Sequence, residues 1–139
     1  MGTFTTAGTV SHIVHRDRSA VVPTMLVDTG SEYTWVSATV LEGIGIDREK
    51  KDIAFAMANG QRITRSVGFA ILTVEGYFTV DEVVFAQPGD LSLLGARTLE
   101  GMNLTVDSRQ KKLVAAGPLP AACSSTGPMR DAWVPPAPH

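Results

Sequence analysis

Val21-Val22-Pro23-Thr24-Met25-Leu26-Val27-Asp28-Thr29-Gly30-Ser31 is an apolar run that ends in an acidic residue and a turn of small residues. Val, Met and Leu make the run β-prone and mostly buried, and Asp-Thr-Gly-Ser supplies the punctuation that stops a strand. Asp28 is therefore expected at the mouth of a strand. A rigid apolar element can aim a carboxylate there and partly dry it, and partial drying raises an acid's pKa toward a useful range. Gly30 allows close approach of the backbone. Asp28 is the candidate chemical group.

Working outward, the Thr-, Val- and Ile-rich stretch from Thr3 to Val14 and the polar His15 to Ser19 predict a β-hairpin leading into the quoted run. His12 and His15 have a spacing some metal ligands use, but residues three apart on a strand face opposite sides, so surface positions are expected. Tyr33 to Val36 reads as a strand with Trp35 in the core. Ser37 suits the N-cap of a short helix through Glu42, ended by Gly43 and Gly45. Asp47 to Asp52 reads as a charged turn. Asn59-Gly60, between the arms Ile53–Met57 and Arg62–Val67, is a strong hairpin signal. A second hairpin joins Phe69–Val74 to Tyr77–Val80 and continues through Phe85. After the loop from Gln87 to Asp90, Leu91–Leu94 reads as a buried strand, Ala96–Gly101 as a helix, and Leu104–Val106 with Leu113–Val114 as a last hairpin. The class is all-β with one or two short helices.

An Asp-Thr-Gly triplet alone also closes ordinary hairpins. Here it is followed more than sixty residues later by Leu91-Ser92-Leu93-Leu94-Gly95, an apolar pair plus glycine ahead of a helix-like segment, with the Asn59-Gly60 hairpin between. With these three motifs in order, the chain resembles the retroviral-type aspartic proteases (retropepsins) over about residues 3 to 115. The resemblance implies a retropepsin-like acid-protease barrel with its site at a two-fold dimer axis. It implies Asp28 as the catalytic residue and Thr29, Gly30 and Ser31 as the active-site turn. It also implies substrate contacts from Glu32, Leu94 and a mobile flap at Met57, Ala58, Asn59 and Gly60.

In that family the threonine after the catalytic acid braces the two turns across the axis, which falls here on Thr29. Ser31 stands where the viral enzymes usually carry alanine. Its hydroxyl is expected to bond the carboxylate, which would lower a pKa and shift the optimum to acid relative to an alanine variant. An acidic residue after that position often pairs with an arginine past the apolar-apolar-Gly element. Glu32 and Arg97 are the nearest candidates, although Arg97 comes one residue late and Ala96 holds the usual place. The flap tip also departs from the Gly-rich viral flaps, having one glycine; an ordinary surface hairpin is the competing reading.

Aspartic protease chemistry uses two carboxylates that share one proton, because like charges so close cannot both ionise. The chain holds one Asp-Thr-Gly, and Asp47, Asp52, Asp81, Asp90 and Asp107 lack its turn context. A second copy is then required, so the expectation is a homodimeric aspartic endopeptidase acting on extended polypeptide, with no cofactor and no metal. The alternative is a catalytically silent peptide-binding or assembly domain on the same fold. A fortuitous triplet in some other small β-barrel is weaker, and no Gly-x-Ser-x-Gly elbow points to serine chemistry.

At 139 residues and 44% hydrophobic, residues 1–117 suffice for one domain with one core. Six of the eight prolines lie between Pro118 and Pro138, so residues 118–139 are expected to form a linker or arm without regular structure. A net charge of −2 and scattered Lys and Arg leave no electrostatic footprint for nucleic acid. No apolar stretch is long enough to span a bilayer, and no signal-peptide pattern opens the chain. Cys123, the only cysteine, has no internal partner, so a reducing, cytoplasmic setting is expected. Gly2 fits a loose myristoylation pattern too short to carry weight.

Overall fold

The computed structural model describes residues 4–119. Within them the elements run β1 (Phe4–Ser11), β2 (Ser19–Asp28), β3 (Thr34–Ser37), α1 (Ala38–Gly43), β4 (Lys50–Ala56), β5 (Arg62–Val74), β6 (Tyr77–Ala86), β7 (Leu93–Gly95), α2 (Ala96–Gly101), β8 (Leu104–Asp107) and β9 (Lys112–Ala115). Hydrogen bonding orders the main sheet β1-β2-β7-β3-β6-β5-β4, and a further β1–β5 pairing closes the first six strands on themselves. The result is a six-stranded barrel with β4 outside the ring. This is the retropepsin-like all-β fold. No helix among the described residues is long and apolar enough to cross a membrane.

One face of the strands fills the barrel with Val10, Met25, Val27, Val36, Leu72, Val83, Phe85 and Leu94, and α1, α2 and the β8–β9 hairpin add Leu41, Leu99, Leu104 and Leu113. Burying one such side chain contributes roughly 1.5–3 kcal/mol. A second cluster, Trp35, Val67, Val84 and Ala86, lies on the outer face, covered by Ile53, Phe55 and Ile63 of the projecting β4–β5 hairpin. Residues Val83 to Ala86 are therefore buried on both faces, which explains their unbroken apolar reading. Trp35 is buried, but in this outer cluster.

β2 is less regular than its sequence suggests. Thr6 faces Met25 while Gly8 faces Val22, so Pro23 and Thr24 together oppose Ala7 in a bulge. Proline has no N–H to give a ladder and is tolerated at such a place. The bulge re-phases the strand, so Val22 and Met25, three residues apart, both point inward.

Other expectations need correction. Gly68 does not separate two arms: β5 is one 13-residue strand running through it. A Cβ on Gly68 would lie 2.4 Å from the carbonyl oxygen of Asp47, so this glycine marks a close crossing and not a break. The strand expected over Leu91–Leu94 is only Leu93–Gly95; Leu91 is 63% exposed and follows a loop closed by the Gln87 amide donating to Asp90. Ser37 precedes α1 but makes no side-chain cap; the helix ends at Gly43, as expected, and Gly45 follows the Ile44 C-cap with φ 84°. His12 and His15 do not face apart. They lie in the β1–β2 turn with ring centroids 5.0 Å apart, and His12 Nδ1 accepts hydrogen bonds from the amides of Val14 and His15. Gly2, Cys123 and all but the first two residues of the Pro-rich tail lie outside the described residues.

Candidate active site

Asp28 is the last residue of β2, and a parallel pairing sets it beside Gly95 of β7. The chain then turns at once. The Gly30 amide donates to Asp28 Oδ1 at 2.9 Å and the Ser31 amide to the Asp28 carbonyl at 3.1 Å, an Asx-turn built by the carboxylate on its own backbone. Asp28 is half-buried, whereas Thr29 and Gly30 are exposed.

The turn is gripped from behind. At the start of α2, the Ala96 amide donates to the Ser31 carbonyl at 2.7 Å and the Arg97 amide to the Glu32 carbonyl at 3.1 Å. This contact is possible only because residue 95 has no side chain: a Cβ there would sit 2.4 Å from the Tyr33 carbonyl oxygen. The apolar-apolar-Gly motif thus packs the strand that carries Asp28 and lets α2 hold its loop.

Below lies a buried polar relay. The Gly95 amide donates to Thr34 Oγ1 at 3.0 Å, Thr34 and Thr98 share a 2.6 Å hydroxyl bond, and Thr98 donates to Asp81 Oδ2 at 3.0 Å. Because Thr98 has one proton and gives it to Asp81, the shared bond must be donated by Thr34. Both threonines are fully buried, so each hydroxyl needs these partners. The relay escaped sequence reading because residues 34, 81 and 98 meet only through the fold.

Several expected contacts fall elsewhere. Ser31 Oγ donates to the Tyr33 carbonyl at 2.9 Å and not to the Asp28 carboxylate, which removes the basis for the acid-shifted optimum. Leu94, expected among the substrate contacts, lies opposite Val27 with its side chain fully buried in the barrel, where it packs the strand that carries Asp28. Leu93 takes the outward alternation and packs beside Trp35 and Tyr33. Glu32 is exposed, and the Arg97 guanidinium leans away from it, 4.0 Å from Asp81, 3.8 Å from Glu82 and over the Tyr33 ring at 5.0 Å. The one-residue offset of Arg97 turns it to the β6 side. What links it to Glu32 is the main-chain bond.

Met57, Ala58, Asn59 and Gly60 form the exposed tip joining β4 to β5. Asn59 Oδ1 accepts from the Gln61 amide at 2.9 Å, and Gly60 adopts φ 85°. The hairpin reaches the Asp28 loop through its body: Phe55 meets Tyr33 edge-on at 5.5 Å and Trp35 at 5.2 Å. Tyr33, Trp35 and Phe55 were not expected at the site as a group, although each is an aromatic within or beside a motif.

Arg65 on β5 donates from Nε to Asp90 Oδ2 at 2.7 Å and from Nη2 to Oδ1 at 2.9 Å, and the Gln87 amide adds a 2.8 Å bond to Oδ2. The guanidinium beside Asp90 holds its carboxyl below the usual carboxylate range. A depressed folded-state pKa gives stability that is present above the unfolded value and lost as pH falls through the folded one. The stability difference between the wild-type protein and Asp90→Asn should thus be level down to about pH 4 and shrink below it. Urea titrations across that range check this; a difference that does not vary with pH would refute it.

A polar pocket of about 390 Å³ lined by Ser37, Thr39, Glu42, Arg48, Gln87 and Asp90 does not include Asp28. Among sequence families, the model described as gag-polyprotein putative aspartyl protease matches residues 20–101, from the start of β2 to the end of α2. Asp28, the β4–β5 hairpin, Gly95 and α2 all fall inside this span. The comparison with curated proteins finds no match.

Proposed function

The chain belongs to the gag-polyprotein aspartyl protease family, and from this premise we propose that it is a homodimeric aspartic endopeptidase with Asp28 of each copy as half of the catalytic dyad. The observation that carries the proposal is the Asp28 loop itself. One carboxylate stands half-buried at a strand end, and its loop is gripped by the Gly95 crossing and the first amides of α2.

In the dyad, one Asp28 carboxylate is ionised and takes a proton from a bound water as the water oxygen attacks the scissile carbonyl carbon. The protonated Asp28 of the second copy hydrogen-bonds the carbonyl oxygen and stabilises the charge that develops there. Breakdown of the tetrahedral species returns a proton to the leaving amine and breaks the C–N bond. On this reading Thr29, exposed beside the carboxylate, braces the two turns where the copies meet. The Met57–Gly60 tip acts as the flap over an extended polypeptide.

Mixing wild-type protein with Asp28→Asn protein tests the shared site. After subunit exchange, cleavage of an internally quenched peptide pool should fall as the square of the wild-type fraction. A linear fall would mean that each copy works alone, and peptide binding without any cleavage would favour a silent peptide-binding domain.

A further inference from the structure

The β4–β5 hairpin is a cantilever. β4 lies at the open end of the strand order, and residues 62–65 of β5 pair with β4 alone before β6 joins at Val67. Three contacts hold this arm to the barrel. Ile53, Phe55 and Ile63 press on the outer apolar cluster, Lys50 at the base of β4 reaches Glu82 of β6 at 3.2 Å as a half-exposed point charge, and Arg65 grips Asp90. Apolar contact is non-directional and tolerates sliding. A guanidinium that meets both carboxylate oxygens fixes an angle as well as a distance.

The other end of this grip is placed where its angle matters. Asp90 sits in the Gln87–Ser92 connection, which leads straight into β7, and the Ser92 carbonyl accepts from the Leu26 amide at 2.9 Å, two residues ahead of Asp28. The pair is shielded, with Arg65 and Asp90 side chains 18% and 13% exposed, so it is not one of the solvated surface pairs that contribute little.

Resting on the aspartic-protease reading above, we propose that Arg65 and Asp90 are positioning residues: their two-point ion pair locks the flap arm to the Gln87–Ser92 loop, so that flap and loop present one rigid wall to the substrate. The lock acts on the bound peptide in ground state and transition state alike. Its loss raises KM and leaves kcat largely unchanged.

The test uses the full chain with Arg65→Met, Asp90→Asn, the double variant and Arg65→Lys, assayed on an internally quenched peptide that the wild type cleaves. Each of the first two should raise KM roughly tenfold with kcat nearly constant, and the double variant should be no worse than either single change. Arg65→Lys keeps the charge but loses the fork and should recover only a minor part. Hydrogen exchange read on the same proteins should show amides of residues 57–61 and 87–92 speeding up together, while those of β8 and β9 stay protected. A lower denaturation midpoint with unchanged KM, additive effects in the double variant, or faster exchange in only one of the two segments would overturn the lock. If the wild type cuts no peptide, the protease reading fails on its own, and the exchange measurement still decides whether the two segments are coupled.

Discussion

Asp28→Asn is expected to lower kcat/KM for peptide cleavage by about 10⁴-fold or more while the protein stays folded and associated. An amide can neither take a proton from water nor carry the one that the proposed dyad shares, so on that proposal both roles are lost. The fold should survive because the structural duty of Asp28 is modest: its Oδ1 accepts one bond from the Gly30 amide, and an asparagine oxygen can accept the same bond. Asp28→Ala removes that bond too and should cost about 1 kcal/mol more stability at equal loss of activity. Quenched-peptide kinetics with sedimentation and circular dichroism on the two variants measure this. Turnover surviving in a folded Asp28→Asn protein would end the case for carboxylate catalysis here.

Gly95→Ala should unseat the site through packing alone. The added methyl would meet the Tyr33 carbonyl oxygen at 2.4 Å, its carbon at 2.6 Å and the Glu32 oxygen at 2.8 Å, all backbone atoms that cannot swing aside as a flexible side chain would. Relief requires the Asp28 loop to part from α2, breaking the bonds from Ala96 and Arg97. A loss of at least about 3 kcal/mol is expected, together with most of the activity. Gly43→Ala makes a suitable control, since its added methyl meets nothing within 4 Å inside α1. That change should stabilise by about 0.5–1 kcal/mol. Urea midpoints of the two variants moving in the same direction would contradict the argument.

The difference between these two glycines illustrates what could be read before the fold was known. Both stand at the end of a helix-like or apolar segment, and local signals treat them alike. Only Gly95 has a backbone crossing beside it. Gly68 repeats the point: it looks like a break between two strands but is the gap through which the Asp47 carbonyl passes.

Arg65 and Asp90, or Thr34, Asp81 and Thr98, could not have been grouped by inspection either. Each looks like an ordinary turn or strand residue until distant segments are brought together.

The chain by itself determined the β class, the element order, the Asp28 turn and the Asn59-Gly60 hairpin. Each of these depends on alternation, turn chemistry or glycine within a few neighbouring residues, and such preferences are written locally. Tertiary structure alone decided that six strands close while β4 projects, that Leu94 faces inward and Leu93 outward, and that the Ser31 hydroxyl and the Arg97 guanidinium turn away from their expected partners. Those outcomes follow from register and from competition among buried polar groups for partners far away in the chain, which short-range patterning does not encode.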